Sequence, residues 1–380
     1  LRLPFTIGGV PRAILQLSSA RAFGGGERHL TELCRALAAR GFRVHVAHRL
    51  SAGWLSNLAP EVTRHELPLR NALDIASAAR LARILREREI DILHAHLARD
   101  YPVAALAARL SGRAALAVTR HVMFPLNRLH AVTLRRAARV VAVSGAVREQ
   151  LLARKLAPPD KIRVIHNGTD LARFYATDKA ARRAAFCARR GLNPSSLLVG
   201  MLGDLRPLKG PDDFLRAAAR IAAQRDEVAF LVAGPDSSPD GADRWRLEKL
   251  ASELGLTGKV CFTGWLDDAA EFYAALDVFV SASHTESFGL TLIEAMAAAA
   301  PVVATRTAGA LEIVTDCHDG RLTAIGAPDE LAAVVSDLLV HAPERARLAA
   351  QGRATARERF SLERMATETA QLYEEIMAQR

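Results

Sequence analysis

Apolar positions along this chain fall into two successive series of short strand-like runs separated by amphipathic, helix-like stretches. In the first series the runs at 13–17, 44–48, 90–95, 114–118, 140–143 and 162–165 read as strands. Between them, 27–40, 76–89, 101–110 and 126–138 carry helical spacing, as does a stretch after Ser144, which is placed to cap it. Within 27–40, Leu30, Leu33, Cys34 and Leu37 share one face, and Gly41 ends the element. The second series has strands at 197–202, 228–233, 260–263, 278–281 and 301–304, with helices at 212–223, 243–254, 269–276 and 290–299. Two amphipathic helices, 344–358 and 362–377, close the chain. Short apolar strands alternating with helices predict parallel sheets covered on both faces. Two doubly wound, Rossmann-like α/β domains with a cleft between them follow, at 1–172 and 173–361. The Arg-rich stretch 170–196 reads as the connection, and 362–380 is expected to pack back on the first domain.

One stretch breaks the ordinary pattern. From 284 to 305 the chain reads H-T-E-S-F-G-L-T-L-I-E-A-M-A-A-A-A-P-V-V-A-T, and Glu294 is the only charged residue between Glu286 and Arg306. A helix that is apolar all round is buried, and a carboxylate on it is costly unless hydrogen-bonded. Either a distant Arg in the core or the hydroxyl pair of a ligand would satisfy it. Just upstream, Ser287-Phe288-Gly289 is small enough to bring backbone N–H groups close to a guest at a helix N-terminus, where anions are favoured.

Three glycines, Gly24 to Gly26, sit at the first strand-to-helix turn, where such folds approach phosphates. The dinucleotide fingerprint is absent, because the third glycine of G-x-G-x-x-G would fall on His29, and hydride transfer is disfavoured. His94 and His96 share a face of their strand and are a possible metal pair, but no third ligand is evident, and lining or packing histidines are the expected reading. No D-x-D occurs, so metal-independent chemistry with no cofactor is expected. Asp204 reads as a partner of Arg206 or a turn cap. The basic stretch 128–139, with Arg128, Arg135 and Arg136, reads as a solvated face or an anionic docking surface.

Charge is unevenly placed. Of the 51 Lys+Arg and 41 Asp+Glu, 29 and 13 fall in residues 1–180, leaving 22 and 28 beyond. A net +16 in the first half against −6 in the second suggests an anionic partner for the first. The four cysteines are far apart and suggest free buried thiols. Residues 1–10 make a poor signal peptide, and no run approaches the about 18 apolar residues of a membrane span. A cytoplasmic protein, with peripheral attachment at the inner face of the membrane, is the expectation.

With these residues in view, the chain resembles the retaining glycosyltransferases of the GT-B fold, family four (group 1), over nearly its whole length after Arg12. The most specific match is Glu286 and Glu294, eight positions apart with F-G-L between. The Gly24 to Arg28 loop, His121 after its strand, V-A-V-S ending at Ser144, H-N-G-T-D ending at Asp170, Lys209-Gly210, and F-T-G-W ending at Trp265 match in order. The resemblance implies a nucleotide diphosphate sugar, UDP- or GDP-linked, held mostly by the second domain. Glu294 would take the ribose hydroxyls and Glu286 the hydroxyls of the transferred sugar. Backbone N–H groups of Phe288, Gly289 and Leu290 would meet the phosphates, with Arg206 and Lys209 neutralising the leaving diphosphate. The base would pack beside Trp265 and Leu266. Gly25 and Gly26 would close on phosphates or acceptor, and His121 would sit at the reaction centre.

The implied reaction is transfer to an acceptor hydroxyl with retention, by front-face attack. A basic first domain suggests an acceptor that is lipid-linked or carries phosphate, as in envelope glycolipid or polysaccharide (lipopolysaccharide) synthesis, and no nucleic acid. The chain departs from the family pattern at Asp204, where Arg is usual, at Ala298-Ala299 for Cys-Gly, at Ala308 for Gly and at Leu311 for Pro. The alanines are expected to narrow the space near the phosphates. Two other readings are a sugar-nucleotide epimerase of the same fold, which would convert donor alone, and a non-catalytic basic module binding membrane or nucleic acid, which leaves the paired glutamates unexplained.

Overall fold

The computed structural model describes every residue except 1–5, 8, 9, 51, 127, 176, 177 and 380. The segment 1–10 considered as a leader lies largely outside the described residues, as does the side chain of Arg128. The chain divides into two compact units. One comprises Leu1–Thr169 together with Leu362–Arg380, and the other Asp170–Ser361.

In the N-terminal unit a short antiparallel pair, β1 (Thr6–Ile7) and β2 (Val10–Pro11), precedes a seven-stranded parallel sheet. Its strands are β3 (Ala13–Ser18), β4 (Arg43–Arg49), β5 (Thr63–Leu67), β6 (Ile92–Ala95), β7 (Ala115–Arg120), β8 (Arg139–Ala142) and β9 (Ile162–Val164). They lie in the order β5-β4-β3-β6-β7-β8-β9. The helices are α1 (Gly25–Ala38), α2 (Ile75–Glu87), α3 (Tyr101–Ser111), α4 (Arg128–Arg136) and α5 (Gly145–Ala153). Ser144 caps α5 by accepting from the Val147 N–H at 3.2 Å. The last helix, α14 (Leu362–Ala378), belongs to this unit: its Met365, Ala366, Tyr373 and Ile376 share one apolar core with Leu30, Leu33 and Leu37 of α1. Arg40 closes that seam, donating to the Glu363 carbonyl at 3.0 Å.

The C-terminal unit holds a six-stranded parallel sheet in the order β12-β11-β10-β13-β14-β15. These are β10 (Leu197–Leu202), β11 (Val228–Ala233), β12 (Val260–Gly264), β13 (Val278–Ser281), β14 (Val302–Thr305) and β15 (Arg321–Thr323). Its helices are α6 (Lys179–Arg190), α7 (Pro211–Ala222), α8 (Ala242–Glu253), α9 (Ala269–Ala275), α10 (Leu290–Ala297), α11 (Ala308–Ile313), α12 (Pro328–Val340) and α13 (Ala342–Arg359). The stretch expected to be only a connection contains α6, which is part of this unit. Arg183 on α6 binds Asp277 at 2.9 Å and the Ala275 carbonyl at 2.6 Å, and Phe186 meets Phe272 of α9 edge-on. The Arg-rich composition that suggested a linker is the outer face of an amphipathic helix.

Each sheet has one place where the strand order reverses, between β3 and β6 in the first unit and between β10 and β13 in the second. No described helix is long and apolar enough to cross a membrane. Cys34 and Cys187 are buried free thiols as expected, but Cys317 is exposed.

Candidate functional site

In open parallel sheets, ligands bind beyond the carboxyl ends of the strands at the reversal point. In the C-terminal unit the two loops that leave that point are tied together. The loop after β10 ends in Pro207–Lys209 and Gly210, which starts α7; the loop after β13 runs through His284 and Glu286 to α10. The His284 N–H donates to the Leu208 carbonyl at 2.9 Å. Gly210 has φ +69°, and a Cβ there would stand 1.9 Å from the Ala282 carbonyl oxygen. Only glycine allows this approach. It brings Lys209 to Glu286, whose Oε2 accepts from Nζ at 2.5 Å, both side chains remaining partly exposed. Gly210→Ala should therefore cost about 2–4 kcal/mol, from left-handed strain and a forced shift of the Ala282 backbone. A melting temperature lowered by roughly 5–10 °C in calorimetry is the expected readout.

The loop after Glu286 is fixed from below. The Gly309 N–H donates to the Glu286 carbonyl at 2.9 Å, and a Cβ on Gly309 would lie 2.2 Å from the Phe288 oxygen. The Phe288 ring is buried edge-on to Phe360 at 5.8 Å. Gly289, at φ +113°, is the N-cap of α10 and offers no side chain to its first N–H groups. Half-buried Leu290 is the first helical residue.

Glu294, one turn further, has no solvent-exposed surface. It is not without a protein partner, as the local sequence had suggested: the Tyr273 hydroxyl of α9 donates to its Oε2 at 3.0 Å. The Tyr273 ring is itself fixed edge-on by Phe279, at 5.3 Å, and by Phe174, at 5.9 Å. Sequence reasoning missed Tyr273 because it reads as one more aromatic on the apolar face of a short helix.

Arg206 is held elsewhere. Asp204 Oδ1 accepts from its Nε at 2.9 Å and from its backbone N–H at 3.1 Å, and the Ser237 hydroxyl donates to Asp204 Oδ2. The anticipated Asp204–Arg206 pair is thus present, and of the two expected cations Lys209 is the one brought to Glu286. Trp265 follows β12 with 56 % of its surface exposed, beside half-buried Leu266. The narrowing expected from the alanines is not found at Ala298 and Ala299. They follow the far end of α10, about 12 Å along the axis from Leu290. Ala299 instead sits at φ +54°, a conformation that favours glycine.

In the N-terminal unit the reversal point gathers histidines. α1 begins at Gly25, two residues earlier than its apolar spacing indicates, with Gly24 as N-cap. A Cβ on Gly26 would meet nothing within 4 Å, so this face of the glycine loop is open. Asp100 accepts from the Ser19 N–H at 2.8 Å and holds the loop entrance. Burial raises its carboxyl to about 6, and burial likewise raises that of Glu27, with a smaller contribution from the Asp100 charge.

His121, at the end of β7, meets His96 through Nε2 and Nδ1 at 3.2 Å, and His29 of α1 stands edge-on to it at 4.7 Å. A hydrogen-bond chain orders this group. Gln16 Nε2 donates to the Tyr373 hydroxyl at 3.0 Å, so Gln16 Oε1 accepts from His96 Nε2–H at 2.7 Å. Tyr373 in turn donates to His94 Nδ1 at 2.6 Å, and His94 Nε2–H donates to Thr119 Oγ1 at 2.7 Å. Burial first, then neighbouring histidines, drives His96 and His121 well below the usual imidazole value. Burial lowers His29 to about 4 and His94 to about 3. All four rings are therefore neutral near pH 7. His94 is a satisfied core residue; His96 acquires the neighbours that sequence could not supply, because they come from three separate elements.

Two doubly wound domains, each with polar groups at its reversal point, make a GT-B glycosyltransferase fold, and solved structures share it over almost the whole chain. A glycosyltransferase from Rickettsia africae superposes with TM-score 0.88 at 23% identity, covering 97% of this chain and 99% of its own. Anabaena HepE in complex with UDP and glucose superposes with TM-score 0.86 at 22% identity, covering 96% and 100%. The family model for glycosyltransferase family 4 matches residues 23–173, and that for glycosyl transferases group 1 matches 183–355. The D-inositol 3-phosphate glycosyltransferase of Streptomyces scabiei is 32% identical over 92% of this chain and 86% of its own length. A Catenulispora acidiphila relative named D-inositol 3-phosphate glycosyltransferase 2 is 29% identical over 92% and 90%. The chain belongs to the group 1, family 4 glycosyltransferases and is an enzyme of that class, which sets aside the non-catalytic binding module.

Proposed function

We propose that the protein transfers a sugar from a UDP-sugar, with retention of configuration, to a hydroxyl of a small phosphate-bearing acceptor. The observation that carries the donor half is the Lys209–Glu286 pair at the β10/β13 reversal point, with Glu294 on the helix that follows. Lys209 is placed to neutralise a leaving diphosphate, and its pairing with Glu286 leaves a cation whose partner is exchanged when the phosphates arrive. Glu286 then faces the sugar hydroxyls. Glu294 takes the ribose diol, which requires donor binding to uncover one of its oxygens. Once Lys209 has turned to the phosphates, Glu286 is engaged by hydroxyls of the sugar, and no other described carboxylate of this site is free to act as a covalent nucleophile. This favours front-face attack with the departing phosphate receiving the acceptor proton. Trp265 offers an exposed flat surface for the base, and uridine is preferred because a protein of the same fold, Anabaena HepE, holds UDP and glucose.

Two observations support the acceptor class: the +16 balance of residues 1–180, and the relatives' names, which specify D-inositol 3-phosphate. A lipid-linked envelope acceptor draws on the charge alone. A thermal-shift panel of UDP-, GDP- and ADP-sugars tests the donor reading: the largest rise in melting temperature is expected with a UDP-sugar. A panel in which only GDP- or ADP-sugars stabilise would overturn the choice of base.

A further inference from the structure

We propose that His29, His96 and His121 form a binding site for one Zn2+ ion at the reversal point of the N-terminal sheet. Among the described residues they are the group of three whose side-chain ligand atoms all lie within 4.8 Å of one another. Zn–N bonds of about 2.0–2.1 Å in a tetrahedral site put two ligand nitrogens about 3.3 Å apart. His96 Nδ1 and His121 Nε2 are 3.2 Å apart.

A second, independent observation points to a guest. His29 is 5 % exposed, and neither of its ring nitrogens has a hydrogen-bond partner. Asn167 faces the ring and partly offsets the lowering by burial, but the two do not close a hydrogen bond of ordinary geometry, and Asn167 Oδ1 is also left unpaired. A buried polar group left unpaired costs about 1–3 kcal/mol, and an ion or water is the usual reason one persists. The outer contacts also suit a metal. His96 Nε2–H is committed to Gln16 Oε1, so its Nδ1 turns a lone pair inward. Ligating histidines characteristically use the other ring N–H in this way. Gln16 is itself held by Tyr373 of α14. Half-buried His121 provides the entry side, and water would complete four-coordination. Binding would take His121 in its neutral Nδ1–H tautomer, so that the Nε2 lone pair faces the ion in place of the hydrogen bond to His96 Nδ1 and no net proton is lost from the ring.

Because His121 becomes a ligand, bound zinc also blocks transfer. That consequence rests on the reading of His121 as a reaction-centre residue, whereas the binding does not. The test is zinc titration of the full chain by calorimetry, together with Co2+ absorption as a probe of tetrahedral nitrogen ligation. The wild type should take up one equivalent. His29→Ala should weaken uptake at least 100-fold, and Gln16→Leu about 10-fold, each with retained cooperative melting. His65→Ala, which removes the separate His45–His65 contact, should leave uptake unchanged. No uptake by the wild type, uptake indifferent to His29→Ala, or uptake abolished by His65→Ala would each overturn the site. One equivalent bound with no loss of transfer would leave the site standing and overturn the inhibition, and with it the placing of His121 at the reaction.

Discussion

Replacing Lys209 by alanine should lower turnover about 100- to 1000-fold while changing the donor KM by less than about threefold, the effect of removing one fixed group from a developing charge. The expectation follows from where Lys209 is held. Gly210 brings the turn onto the Ala282 carbonyl, and Leu208 accepts from His284, so the ammonium is set at the carboxyl edge of β10 and β13 with Glu286 as its resting partner. Loss of Lys209 also leaves Glu286 without its cation. A double-mutant cycle with Glu286→Gln separates the two effects: a direct role at the leaving group leaves the double variant as slow as the slower single one. Full recovery of turnover in the double variant would mean that Lys209 serves only to balance Glu286. An Arg206→Ala variant should lose less, because Asp204 already engages that side chain.

The second large effect is expected at Glu294. A carboxylate that accepts from two ribose hydroxyls makes charge-assisted bonds of about 1.5–3 kcal/mol each, so Glu294→Ala should raise the donor KM at least about 100-fold. The same change strips the Tyr273 hydroxyl of its acceptor, and a merely structural role would show itself through Tyr273. Tyr273→Phe keeps the ring against Phe279 and Phe174 and should raise the donor KM no more than a few fold. If Tyr273→Phe reproduces the loss seen in Glu294→Ala, the carboxylate is holding α9 to α10 rather than holding ribose.

Much of the architecture was legible because buried parallel strands announce themselves as apolar runs and the helices between them as amphipathic ones. β5 was not legible: Thr63–Leu67 is an edge strand with most of its side chains exposed or half-buried, so it lacks the apolar run. α12 is legible only in part. Pro328 opens it and Leu331, Val335, Leu338 and Leu339 mark its buried face, but its apolar character blurs into the adjacent strand. α6 was hidden by arginines that cover one face of a helix whose other face carries Phe186 and Cys187.

The candidate site divides in the same way. Glu286, Gly289 and Glu294 lie within one short window, and their spacing is a local signal. Tyr273 under Glu294, Asp100 at the glycine loop, and His29 beside His96 and His121 come from separate elements, and only the strand order brings them together. Ala299 went the other way: its place in the motif suggested the phosphate site, whereas the length of α10 puts it at the opposite end of the sheet.

The most direct measurement is proton NMR of the product formed from the UDP-sugar that the donor panel selects, with D-inositol 3-phosphate as acceptor. For an α-linked gluco-configured donor, the expected product shows the small anomeric coupling of an α-glycoside, reduced in yield by Lys209→Ala. A large coupling, marking a β-glycoside, would contradict retention and the front-face geometry assigned to Lys209 and Glu286.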